Sequence, residues 1–165
     1  MSQEDRICSV CGEIHSLSEM ELSFRRPDAV CELVAAEREA TCQESDDLCT
    51  IRAGHFFIRG VLPLPVQGRN DPYRIGVWAE VAEEDYTRIL QLWDDPDQAA
   101  EAPFAAKIAN HIPTLPQTRG VAASLSLRGP TTRPDIHVGD PGHPLYEEQL
   151  VGITENRVDH YNHLF

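Results

Sequence analysis

His55-Phe-Phe-Ile-Arg-Gly-Val-Leu-Pro-Leu-Pro-Val66 decides the fold. Phe56, Ile58, Leu62, Leu64 and Val66 fall on one face of an extended strand, with Arg59 and the two prolines on the other. Pro63 and Pro65 have no N–H to offer a ladder, so this half of the strand belongs at a sheet edge or is irregular. After the polar loop Gln67-Gly-Arg-Asn-Asp-Pro72, residues Tyr73, Ile75, Val77, Ala79 and Val81 alternate with Arg74, Gly76, Trp78 and Glu80. The two runs read as an antiparallel hairpin.

Downstream, Glu83, Glu84 and Asp85 put negative charge at the positive end of a helix. Its Tyr86, Ile89, Leu90 and Trp93 form an i, i+3, i+4, i+7 stripe that should lie on the sheet. Trp78 and Trp93 read as core. Asp94 to Pro103 is an acidic connection, and Phe104 to Asn110 reads as one or two helical turns stopped by Pro113 and Pro116. Val121, Ala123, Leu125 and Leu127 alternate as a third strand, and Asp135 to Val138 makes a short fourth. Leu145 to Leu150 is helical. Thr154 then caps a last helix, with Ile153 and Val158 as a hydrophobic staple.

Upstream, Asp28 caps an amphipathic helix that carries Val30, Leu33 and Val34 and runs to Glu39. The fold class is α+β: a small, largely antiparallel sheet with helices packed on one face and an N-terminal cysteine-rich knuckle. At 165 residues one domain is expected, with the knuckle over 6–50 and the sheet–helix core over 51–165.

The knuckle is Cys8-Ser-Val-Cys11-Gly-Glu-Ile-His15. Two thiolates two residues apart can grip one ion from a tight turn. Cys42 and Cys49 follow around the acidic turn Glu44-Ser-Asp-Asp47, making C-x2-C-x30-C-x6-C overall. That is the general form of a closed four-thiolate zinc site, although x6 exceeds the usual ribbon spacing. Cys8, Cys11, Cys42 and Cys49 are the candidate ligands, with His15 able to replace Cys42. Buried unligated thiols and a redox-active C-x2-C remain as alternatives, and Cys31 reads as a small buried hydrophobe.

The formal charge is −13, from 27 acids against 14 bases, of which only Lys107 is a lysine. A nucleic-acid partner is not expected, because such binding is driven by cationic neutralisation of phosphates. A basic protein is the partner this charge would suit, with an ordinary solvated surface as the plainer account. The start of the chain carries no secretory pattern, and no window approaches a membrane span. A cytoplasmic location is expected.

These residues carry a resemblance. Cys8-x2-Cys11-Gly-x2-His15, Leu22-Ser-Phe24, Asp46-x2-Cys49, Phe56-Phe-Ile-Arg-Gly60, Gly76-Val-Trp78 and Leu92-Trp93 are followed in order by Ala109-Asn110-x-Ile112-Pro113. His143-Pro-Leu145-x3-Gln149-x2-Gly152-Ile-Thr154-x2-Arg157 completes the set. The chain resembles the bacterial family known as domain of unknown function 2199. It departs at Thr114-Leu-Pro116, where the family often has Gly-Tyr-Pro. The resemblance implies no established activity.

Arg59, Trp78 and Arg157, with His143 nearby in the pattern, could line a cleft for an anionic small molecule, since guanidinium forks match carboxylate or phosphate. For Arg59 an ion pair with one of the many acids competes. No Ser-His-Asp order, phosphate loop or H-E-x-x-H helix is present. The expectation is a non-catalytic binding protein with a structural zinc. A small-molecule enzyme or sensor built on Arg59, Trp78 and Arg157, and a thiol redox protein, are the rivals.

Overall fold

The computed structural model describes the backbone at residues 5–7 and 14–16 and the whole of 21–164. The chain opens with β1 (Asp5–Ile7), β2 (Ile14–Ser16), α1 (Asp28–Cys31) and α2 (Ala35–Thr41). Next come β3 (Cys42–Glu44), β4 (Leu48–Ile51), β5 (His55–Leu64), β6 (Tyr73–Val81) and α3 (Glu83–Leu92). A 3-10 turn (Gln98–Ala100), β7 (Phe104–Ile108), β8 (Ala122–Ser126), β9 (Asp135–Val138), α4 (Pro144–Val151) and α5 (Glu155–Asn162) finish it.

β1 and β2 pair as a separate ribbon, and β3 to β9 form one sheet in chain order, antiparallel at every step. β9 then returns to β5 in parallel at Val61↔Asp135. The five strands β5 to β9 thereby close into a small barrel. The expectation of an α+β fold with a largely antiparallel sheet holds, and the closure of that sheet has no sign in the sequence.

Closure works because β5 divides its outer edge. Its first half pairs with β4, from Ile51↔His55 to Leu48↔Ile58, and its second half takes β9, where Val61 N donates to Pro134 O at 2.8 Å. The changeover falls at Arg59, whose N–H reaches Asp47 O at 2.9 Å. Gly60 lets β9 come in: a Cβ there would lie 2.7 Å from Ile136 Cδ1. β6 divides its edge in the same way between β7 and the segment Leu22–Phe24. Gly76 N donates to Leu22 O at 2.9 Å, and Phe24 N donates to Gly76 O at 2.8 Å.

The barrel interior is filled by alternate residues of each strand, among them Ile58, Leu62, Ile75, Val77, Leu125 and Ile136, all fully buried. A second, smaller cluster sits on the outer face of β4 to β6, where Val30, Cys49, Phe57, Trp78 and Ala109 pack together. The central strands are thus buried on both sides. α3 packs against β5, and α4 against β5 and β9.

Four local readings change. Residues 104–110 hold a strand, not a helix: Phe104, Ala106 and Ile108 are buried while Ala105 and Lys107 are exposed, a period of two. The helix expected from Asp28 to Glu39 is two short ones, because Val34 takes an extended conformation (φ −66°, ψ 155°) and is exposed. Asp28 is not its cap; Pro27 precedes the first turn, and the Asp28 carboxylate accepts from Asn110 Nδ2 and His111 N. On α3 the buried positions are Ile89 and Leu92, with Leu90 exposed.

The last helix follows its expected cap. Thr154 Oγ1 accepts from Arg157 N, and Ile153 and Val158 are both buried. β4 straddles the 50/51 division drawn from sequence, so Cys42 and Cys49 belong to the continuous sheet. Among the described residues no helix is long and apolar enough to cross a membrane.

Candidate functional site

The candidate thiols divide by position. β3 and β4 pair with Cys42 opposite Ile51 and Glu44 opposite Cys49. Cys42 and Cys49 therefore lie diagonally on one face, the face that carries Phe57 and Trp78. Cys42 is half-buried and Cys49 is buried. Burial, with Glu44 and Cys42 adding negative charge nearby, pushes the Cys49 thiol up to about 12. An unligated Cys49 is accordingly a protonated, inert thiol at neutral pH.

Cys31, expected to be buried, is exposed at the end of α1, and partial desolvation with the nearby Asp28 carboxylate raises its thiol pKa. Cys8, Cys11 and the side chain of His15 lie outside the described residues. Among the described residues there is no group of three or more His, Cys, Asp or Glu side chains that could hold a metal. Cys42 and Cys49 by themselves make no such group.

Arg59 and Trp78 do come together. They are cross-strand partners on the outer face of the hairpin, with the guanidinium carbon 5.9 Å from the indole centroid. Arg59 Nη1 donates to Asp46 O at 3.2 Å and Nη2 to Ser23 Oγ at 3.0 Å. Its Nε is buried and has no hydrogen-bond partner among the described residues. Among the described residues Arg59 has no carboxylate partner, despite the acidity of the chain. Burial and the nearby Arg133 guanidinium lower its pKa from the ordinary value.

Trp78 is held rather than presented. It is 1% exposed, its Nε1 donates to Phe24 O at 3.1 Å, and its backbone N donates to Asn110 Oδ1 at 2.8 Å. Asn110, fully buried, also donates to Arg26 O at 2.8 Å and Asp28 Oδ1 at 3.0 Å. That clamp joins α1, β6 and the chain after β7.

Arg157 sits in a different cluster. Its Nε and Nη2 grip Glu148 at 3.3 and 3.2 Å, and its guanidinium lies 4.3 Å from the Tyr161 ring centroid. Burial opposes the Arg157 charge, but Glu148 and Tyr161 outweigh it and hold its pKa above the ordinary value. Among the described residues Arg157 shares no hydrogen-bond partner with Arg59 or Trp78. His143 caps α4: its Nδ1 accepts from Leu145 N at 3.1 Å, while Nε2 faces Pro116 O at 3.0 Å. The ring is therefore the Nε2–H tautomer, placed structurally.

A cavity of about 520 Å³ is bounded by Asp47, Trp93, Gln98 and the loop Gly129–Pro134, with no motif in the sequence to mark it. Arg133 Nε donates to Asp47 Oδ1 there at 2.8 Å. The only sequence signal was the turn-rich run Gly129-Pro-Thr-Thr-Arg-Pro134 itself.

Residues 7–153 match the family described as "Uncharacterized protein conserved in bacteria (DUF2199)". The chain belongs to that family. No curated protein and no solved structure matches it.

Proposed function

We propose that this protein is a non-catalytic binding protein of the bacterial cytoplasm, its N-terminal segment tied to the barrel by a structural zinc ion. The carrying observation is the placement of Cys42 and Cys49 on one face of the β3–β4 hairpin, one of them buried. Two thiols so placed supply half of a tetrahedral set, and Cys8 and Cys11 at knuckle spacing supply the other half. His15 is the substitute for Cys42.

Four thiolates close the coordination sphere, so the metal would hold the fold and leave no position for substrate or water. The raised thiol of Cys49 argues against redox or nucleophilic use of that residue. The separation of Arg157 from Arg59 and Trp78 weighs against a three-residue anion cleft. With a charge of −13, the partner best suited is a basic protein, met through salt-sensitive association.

The test is metal content in protein purified without added zinc or chelator, with a thiol count before and after unfolding. About one zinc per chain is expected, lost on Cys49→Ser substitution. Metal-free protein whose Cys8 and Cys11 alkylate at once in the folded state would sink the reading.

A further inference from the structure

The cavity beside Asp47 has a chemical character that the zinc reading does not use. Three separate stretches meet around it: the β3–β4 turn at Asp47, the end of α3 at Trp93 with the following Gln98, and the β8–β9 loop at Arg133. Its volume, about 520 Å³, lies in the range of small-molecule sites.

Gln98 is only 4% exposed, and its Nε2 donates to Leu92 O at 2.9 Å and Trp93 O at 3.0 Å. Those two carbonyls fix the amide, because a flip would set its oxygen against theirs. The Gln98 oxygen therefore faces away from the end of α3, on a residue that lines the cavity, and it accepts no hydrogen bond from the described residues. Arg133 uses Nε on Asp47 Oδ1, and among the described residues its two terminal nitrogens and the second Asp47 oxygen make no hydrogen bond. Trp93, Pro130 and Pro134 add apolar wall.

A ligand with a single charge would match one member of the Asp47–Arg133 pair and repel the other. A zwitterion matches both. We propose that this cavity binds a free α-amino acid with an apolar side chain. Its ammonium donates to Asp47 and the Gln98 oxygen, its carboxylate accepts from the Arg133 terminal nitrogens, and its side chain lies against Trp93 and the prolines. The site is independent of the metal, so this proposal stands or falls apart from the zinc reading.

Calorimetric titration of the full chain tests it with L-phenylalanine and L-leucine as probes. Phenylacetate, which lacks the ammonium, and 2-phenylethylamine, which lacks the carboxylate, dissect the headgroup. Saturable binding of at least one amino acid is expected, with both half-probes weaker by at least about tenfold. Arg133→Gln and Asp47→Asn should each weaken it by a similar factor, with thermal melts to show that the variants fold. The proposal is overturned if neither amino acid saturates up to about 10 mM, a range that covers weak metabolite sites. Half-probes that bind as well as the parent would overturn it too, and that comparison on the native protein needs no variant. Folded variants with unchanged affinity would do the same.

Discussion

Gln149 stands in for the hydrogen bonds that Pro63 cannot make. The parallel ladder between β5 and β9 is a single pair at Val61↔Asp135, and Pro63, next along that edge, has no N–H to continue it. From α4 the Gln149 side chain fills the gap: Nε2 donates to Pro63 O at 3.3 Å and Ile136 O at 3.0 Å, and Oε1 accepts from Val138 N at 2.8 Å. Gln149→Leu keeps the volume and strands those three backbone groups. Each unsatisfied group costs about 1–3 kcal/mol, so a loss of at least about 3 kcal/mol is expected in urea unfolding. An unchanged midpoint would mean that the seam is held by the barrel alone.

Closure also depends on the absence of a side chain at residue 60. In Gly60→Ala the new Cβ would meet Ile136 Cγ1 at 2.8 Å and Pro134 O at 3.0 Å, and the second is backbone that cannot turn aside. Overpacking of this kind typically costs about 1–3 kcal/mol. Ile136→Val in the same chain should recover part of that loss but not all of it. A double-mutant cycle on the two positions reads the coupling directly. Full recovery would assign the clash to Ile136 and clear Pro134.

The parts of this fold legible in the sequence are those set by local periodicity. The β5–β6 hairpin, β9 and the Thr154 cap follow from alternation and a short capping signal. β7 reads as helix from sequence because Ala105, Ala106 and Lys107 are good helix formers, and the alternation of Phe104, Ala106 and Ile108 is weak when its middle member is alanine. Barrel closure rests on one backbone pair and one glycine, which no periodicity reports. For the site, hairpin pairing joins Arg59 to Trp78, whereas the grip of Glu148 on Arg157 depends on how α4 meets α5. The Asp47–Arg133 pair spans 86 residues and has no local signature.

Thr114 takes the place where the family often carries glycine, and it has a φ of +73°. A β-branched residue in that region is strained by about 1–2 kcal/mol, and its hydroxyl, at 3.5 Å from Arg157 Nη1, returns little. Thr114→Gly relieves the strain but loosens the unfolded chain by about 0.5–1 kcal/mol. A net gain of about 0.5–1 kcal/mol is expected in thermal or urea unfolding. A net loss would show that the Arg157 contact outweighs the backbone strain.

Alkaline pH should destabilise the metal-free protein, and the direction follows from the buried acids. Cys49 ionises at about 12 in the folded state against an ordinary value of 9.0, because burial disfavours the thiolate. Below pH 9 both folded and unfolded chains hold the proton, and the neutral thiol is accommodated fully. Between 9 and 12 the unfolded chain loses that proton while the folded chain keeps it, so stability falls as pH rises. Tyr73 and Tyr161, both raised mainly by burial, act in the same direction from about pH 10 upward. Urea unfolding of chelator-treated protein should therefore weaken progressively above pH 9. Cys49→Val should remove the first part of that slope and leave the tyrosine part. Zinc-loaded protein should also lack the first part, since a ligating Cys49 has already given up its proton. A slope that is identical in native, Cys49→Val and zinc-loaded protein would assign the alkaline loss to the tyrosines alone.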